Sequence, residues 1–396
     1  MELADIKRKA KTLCQNGQFL QAKDLLEEHK VKGGIDAEFH AMLGPIYGQL
    51  RDFKAAIIAY KEAIRLQPLD PHLHFGHGKA LGELGQLLEA ESSFKTALDL
   101  QPSFSQAVLE LATTQFKLNK LAEAKRGFQQ NLESESESVK ALLGLGMIYQ
   151  IWRMPELATN YYKSALSIDP QNALAEYQIG RLLLLQAQHE EAEKHLRAVL
   201  DIDPNYIPAY LALGDLHITC NRIPEAKKAY KEAITKSPHY TPAISGMAKV
   251  CELSGEIETA YEHIAPLIER GVKDIGLGMV FASVCRHYGL CQQAIDYLEQ
   301  LLADNQKGTG FNDQIHFSLG KLYDSLGGYE KAFFNFKKGN DLKRDTFNPI
   351  EHTASISGVI TMCDWRFFTQ APRSANNSER PVFIVGMPRS GTTLTE

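Results

Sequence analysis

The sequence predicts an all-α chain, a superhelical solenoid of about ten helix-turn-helix units, followed by the first strand and phosphate loop of an incomplete α/β domain. Three observations carry this. Alanine recurs every 34 residues, at Ala22, Ala56, Ala90, Ala124, Ala158, Ala192, Ala226, Ala260 and Ala294, and again at Ala332 after four extra residues. Other residue types hold fixed offsets from that alanine. The last sixteen residues, PVFIVGMPRSGTTLTE, then break the pattern with a continuous apolar run and a glycine-bearing turn.

Each offset has a physical reading. Four residues after the alanine stands a large apolar side chain: Tyr60, Phe94, Phe128, Tyr162, Leu196, Tyr230, Ile264, Leu298 and Phe336. Twelve before it stands a small residue: Gly44, Gly78, Ala112, Gly146, Gly180, Gly214, Ala248, Ala282 and Gly320. The small residue lets two antiparallel helices approach, and the large one fills the gap to the next pair. Twelve after it stands Pro68, Pro102, Pro170, Pro204 or Pro238 in half of the units, and proline stops the second helix. One such pair cannot bury its apolar stripe alone, so stacked pairs share a continuous core. The nine regular units span residues 3–308, and a tenth spans 313–346.

This register, with residue type and spacing recurring together, resembles the tetratricopeptide repeat. The resemblance implies a right-handed superhelix whose first helices line a concave groove for a peptide or protein. The ninth position of each unit would face that groove. It holds Lys11, Lys79, Arg181, Lys249 and Lys321, a stripe that fits either solvated surface charge or a preference for acidic peptide. Pro45 occupies the same position in the second unit and should kink its helix or mark an irregular repeat.

Other polar groups read as structural. His72, His74 and His77 lack the i, i+4 spacing of a helical metal pair, and no metal site is expected. Cys285 and Cys291 fall on packing positions, as core thiols would. The run Glu133–Ser138 stands where proline ends other units and suits a solvated acidic turn. Net charge is −5, which gives no bulk attraction to nucleic acid or anionic lipid. The N-terminus lacks the apolar core of a signal peptide, and no window is long and apolar enough to span a membrane. The six cysteines form no CxxC pair and suit a reducing, cytoplasmic setting.

Residues 347–380 should form a connecting helix and a polar linker. Asn348 can cap the helix, Pro349 suits its first position, and Ile356, Val359, Ile360, Cys363 and Phe367 give it an apolar face. The segment 381–396 then begins an α/β fold. Val382–Val385 reads as a buried parallel strand, and the turn Gly386–Thr393 aims backbone N–H groups at one point, as an anion cradle does.

Three readings compete for that cradle. A nucleotide-hydrolysing P-loop has the spacing Gly386-x4-Gly391, but Thr392 stands where its lysine belongs. A chance glycine turn is the second. The third is a resemblance: the strand and GMPRSGTT are similar to the 5′-phosphosulfate loop of tetratricopeptide-repeat sulfotransferases with a protein-tyrosine-sulfotransferase-like catalytic domain. The resemblance implies 3′-phosphoadenosine 5′-phosphosulfate (PAPS) as donor and a hydroxyl acceptor, such as a protein tyrosine. Arg389 then matches the catalytic cation on the leaving phosphate. Ser390, Gly391, Thr392 and Thr393 match donors to the 5′-phosphate, and Pro388 stiffens the loop. The general base and the 3′-phosphate site of such a domain match no residue here, so the expectation is an N-terminal fragment truncated within its catalytic domain. The alternative is a non-catalytic scaffold for protein–protein interaction.

Overall fold

The computed structural model describes residues 2–304 and 311–342. They divide between two compact units, Met1–Asp304 and Asn305–Glu396. The expected connecting helix, the strand Val382–Val385 and the loop residues Pro388, Arg389, Ser390, Gly391, Thr392 and Thr393 lie outside the described residues.

The first unit begins with α1 (Leu3–Gln15), α2 (Phe19–Glu28) and a short α3 (Lys30–Gly33). Helix pairs follow in order: α4 (Ala37–Gln49) with α5 (Phe53–Leu66), and α6 (Pro71–Glu83) with α7 (Leu87–Leu100). Next come α8 (Ser105–Lys117) with α9 (Leu121–Ser134), and α10 (Val139–Ile151) with α11 (Pro155–Ile168). Then α12 (Ala173–Leu185) pairs with α13 (His189–Ile202), and α14 (Ile207–Thr219) with α15 (Ile223–Lys236). The last two pairs are α16 (Thr241–Leu253) with α17 (Ile257–Glu269), and α18 (Ile275–Val284) with α19 (Cys291–Asp304). Within a pair the helices pack on each other, and each second helix packs on the first helix of the next pair. First helices also touch one another from α1 through α4, α6 and α8 to α10, and again from α12 through α14 and α16 to α18, so they lie side by side on one face.

The alanines on the 34-residue spacing are buried throughout, and the rings beside them explain the glycines. A Cβ on Gly44 would fall 2.5 Å from the ring of Tyr60, and one on Gly214 would fall 2.5 Å from the ring of Tyr230. The same two rings press on Gly76 and Gly246 of the following pair, so each is clamped between glycines of successive repeats. The large residue therefore closes its own repeat and the next one at once.

The first repeat departs from the regular turn where it lacks the proline, whereas the fourth keeps that turn with Ser136 in the same position. Gly34 stands in that position in the first repeat, and the chain makes the extra helix α3 just before it. Pro45 does not mark an irregular repeat: α4 runs through it from Ala37 to Gln49 and is capped by Asp36, whose carboxylate accepts from the Phe39 N–H.

One column is a turn rather than a side-chain type. Gly17, Arg51, Gly85, Asn119, Arg153, Ala187, Asn221, Gly255, Gly289 and Gly327 all have positive φ at the bend between the two helices of a repeat. Glycine enters this left-handed region freely and asparagine tolerates it, but Arg51, Arg153 and Ala187 at φ 59°, 57° and 56° are strained.

Successive repeats are also tied by charge. Glu91 binds Lys120 of the next repeat at 2.6 Å and Lys95 of its own helix at 2.9 Å. Glu193 binds Arg222 and Arg197 in the same way, at 2.8 and 2.7 Å. Burial alone would raise both carboxyls, but these hydrogen bonds hold them below the usual carboxylate range.

In the second unit, α20 (Asn312–Ser325) packs on α21 (Tyr329–Leu342). The design is the same: Ala332 is buried, and a Cβ on Gly320 would lie 2.6 Å from the ring of Phe336. Every element among the described residues is helical, and no helix among them is long and apolar enough to cross a membrane.

Candidate functional site: the face of first helices

Three cavities open on the face built by the first helices of the Met1–Asp304 unit. The largest, about 760 Å³, lies between α8, α10 and α12. Its apolar walls are Phe116, Met147, Ile151, Leu182 and Leu185, and its polar groups are Gln150, Gln178, Gln186, Arg153 and Arg181. Ile151 and Leu185 in that lining are exposed at 52% and 78%. Apolar side chains gathered at a cavity, rather than scattered singly, offer a surface that a partner can cover.

The local sequence explains why a cavity forms here. Gly146 and Gly180 bring α10 and α12 close to their second helices, and Tyr162 and Leu196 fill the space behind. The hydroxyl of the fully buried Tyr162 donates to Gln150 Oε1 at 2.9 Å, which fixes that amide in the wall. Burial pushes the Tyr162 phenol far up, so it acts as a neutral donor. Gln178 Oε1 is buried with no hydrogen-bond partner. Arg153 and Arg181 form no ion pair among the described residues, and Arg181 lies 5.9 Å from the centre of the Tyr177 ring.

The second cavity, about 470 Å³ between α4 and α6, has Gly44, Gly48 and Gly76 in its wall together with Tyr60, Phe75 and Lys79. Burial raises the Tyr60 phenol to about 12. Lys79 Nζ sits 5.7 Å from the centre of the Phe75 ring. The third, about 260 Å³, is lined by residues of α14, α16 and α18, including Asp215, Ser245 and Lys249. Asp215 is exposed as a residue, yet desolvation of its carboxyl against the wall pushes it above the usual range, opposed by the 2.7 Å hydrogen bond from the Tyr230 hydroxyl. Lys249 is already neutralised by Glu252 at 2.5 Å.

The ninth-position stripe is thus resolved residue by residue. Lys79, Arg181 and Lys249 each reach a different cavity of this face. Lys11 is exposed on α1, and Lys321 belongs to the second unit. Pro45, in the same position, lines the second cavity and replaces a cation there with an apolar wall. Arg153 was not singled out by sequence. It stands in the turn, outside the groove column, and lines the largest of the three cavities from there.

The remaining candidates keep structural partners. His74 Nε2 lies 2.8 Å from the Pro68 carbonyl, and His77 Nδ1 lies 3.0 Å from Ser93 Oγ. Burial, then the charge of Lys61 and the His74 ring, lowers the His77 imidazole to about 4. The Cys285 and Cys291 sulfurs are 3.4 Å apart in the core of the ninth repeat, where burial raises the Cys285 thiol and keeps it protonated. Glu133, Ser134, Glu135, Ser136 and Glu137 are exposed, as a solvated acidic turn requires. No cluster of three or more metal-ligating side chains occurs among the described residues.

Comparison with known proteins gives the repeats their name. Family models described as tetratricopeptide repeat match residues 41–103 and 75–125, residues 154–216 and 183–231, and residues 313–346. A tetratricopeptide repeat protein from Parabacteroides merdae ATCC 43184 superposes with a TM-score of 0.52 at 19% identity, covering 64% of this chain and 98% of that one, which shows a shared fold. PilW, a type IV pilus biogenesis factor, gives 0.49 at 20% identity over 53% of this chain and 98% of its own. An uncharacterized protein of Aquifex aeolicus (strain VF5) is 31% identical over 145 residues, 36% of this chain and 18% of that relative, so the match spans under a fifth of its length.

Proposed function

We propose that this tetratricopeptide-repeat chain is a scaffold that binds a peptide or protein on the face of first helices of its Met1–Asp304 unit. The observation that carries the reading is the cavity of about 760 Å³ on that face, whose lining combines the exposed apolar Ile151 and Leu185 with Arg153 and Arg181. Apolar walls with a few fixed polar groups are the usual make-up of a recognition site. The stacked core behind it, clamped by Tyr60, Phe94, Tyr162 and Tyr230, holds the face rigid, which reduces the ordering entropy lost on binding. The five free cysteines among the described residues suit a reducing compartment, in keeping with a cytoplasmic setting. Selection of short displayed peptides against the chain, with amide hydrogen exchange on the complexes, tests the reading. Protection should map to first helices. Peptides that protect only second helices, or a failure to select any, would overturn it.

A second reading concerns Gly386–Thr393. The string GMPRSGTT favours a PAPS-dependent sulfuryl transfer wherever it heads a complete α/β domain, with Arg389 stabilising the leaving phosphate and Pro388, Ser390, Gly391, Thr392 and Thr393 forming the phosphate cradle. The repeats would then hold the acceptor or a partner. Transfer of labelled sulfate from PAPS to a hydroxyl acceptor, abolished by Arg389→Ala with the repeats still folded, is the expected outcome. Undiminished transfer by Arg389→Ala would remove the assigned role.

A further inference from the structure

We infer that the 760 Å³ cavity between α8, α10 and α12 is the anchoring site of this face, and that it takes an extended peptide segment in which an apolar residue is flanked by acidic side chains. The inference rests on the scaffold reading above and names the partner's chemistry.

Charge complementarity is the first argument. The cavity's ionisable lining is Arg153 and Arg181, with no carboxylate among its lining residues. Several cations on other repeats are neutralised by carboxylates: Lys120 by Glu91, Arg222 by Glu193 and Lys249 by Glu252. Arg153 and Arg181 have no such partner among the described residues, so their guanidinium forks remain open to a carboxylate. Arg153 in the turn and Arg181 on α12 put a guanidinium at two separate points of the lining, each able to take its own carboxylate. The same lining holds Met147, Leu182 and the exposed Leu185, which make its wall apolar.

The position of Arg153 is the second argument. Arg153 holds φ 57° at a turn position that is glycine in five repeats and asparagine in two. Glycine would fill that position without strain, yet an arginine stands there and reaches the rim of the largest cavity. Arg51 shares the strained geometry at φ 59° but lines none of the three cavities, and so serves as the internal control.

The test uses a fluorescein-labelled, C-terminally amidated peptide with the pattern Glu-Leu-Glu in a neutral context. Matched peptides carry Gln-Leu-Gln, Glu-Ser-Glu, or Gln-Leu-Gln with a free C-terminal carboxylate. Fluorescence anisotropy should rank the first peptide tightest, with added salt weakening it. Arg153→Gly and Arg181→Gln should each weaken its binding about tenfold, while Arg153→Gly keeps the parent's thermal stability or raises it. Arg51→Gly should leave binding unchanged. Equal binding of the Gln-Leu-Gln peptide, preference for the free carboxylate, or unchanged affinity in Arg153→Gly would overturn the inference while leaving the scaffold reading standing. If no peptide binds and none protects the first helices from exchange, both fall.

Discussion

Replacing Ala187 by glycine should stabilise the chain, against the usual cost of glycine. Ala187 holds φ 56° in the turn between α12 and α13 and is exposed, so its methyl group contributes little packing. The left-handed conformation costs a non-glycine residue roughly 1–2 kcal/mol. Glycine returns about 0.4–1 kcal/mol of that through the greater freedom of the unfolded chain. The balance favours Ala187→Gly by roughly 0.5–1 kcal/mol. Gly85→Ala is the mirror experiment. Gly85 holds φ 75°, and a Cβ there would meet nothing within 4 Å, so the substitution tests backbone strain without a steric clash. It should cost a similar amount. Urea unfolding followed by far-ultraviolet circular dichroism reads the sign. Because a repeat array sums local and interface terms, hydrogen exchange in α12 and α13 should locate the gain at the turn. A loss of stability in Ala187→Gly, or a neutral Gly85→Ala, would refute the argument from the turn.

Three further outcomes follow from the packing and the charges. Tyr162→Ala removes a fully buried ring and the donor to Gln150, and should cost about 3–5 kcal/mol, whereas Tyr162→Phe loses only the hydrogen bond, about 1 kcal/mol, in chemical denaturation. His77 is lowered from 6.5 to about 4 in the folded chain, so below pH 6.5 the unfolded chain takes up a proton that the folded one refuses. Stability from this ring is therefore full above about pH 6.5 and lost as pH falls toward 4. Solvent at the half-buried ring reduces the effect to about 1–2 kcal/mol, and His77→Phe should flatten the melting temperature across that window. Glu193→Gln should cost about 1 kcal/mol at neutral pH by releasing Arg197 and Arg222. Because the folded Glu193 carboxyl is lowered, its contribution is present above the ordinary glutamate range and lost as pH falls through the folded value, so parent and variant should converge in acid.

The helix pairs were legible because each of their positions asks for one kind of side chain. Ala56 must be small, Tyr60 must be large, Gly44 must have no Cβ against that ring, and Pro68 must stop a helix. Residue type and spacing then recur together. The turn column was illegible for the opposite reason: Gly85, Asn119, Arg153 and Ala187 share a backbone angle, and no chemistry. The site was half legible. Arg181 falls on the groove position of a first helix and could be read from spacing, but Arg153 reaches the same cavity from the turn. The ties Glu91–Lys120 and Glu193–Arg222 join second helices to the next repeat's turn, a pairing visible only once the stacking register is fixed.

The central claim is that the face of first helices is the binding surface, and site-specific photo-crosslinking tests it most directly. A photoreactive amino acid at the position of Leu185, on α12 at the rim of the largest cavity, is compared with one at the position of Leu88, an exposed residue of the second helix α7. With a selected peptide present, the account predicts a peptide adduct from position 185 and none from position 88. An adduct from position 88 alone would contradict it.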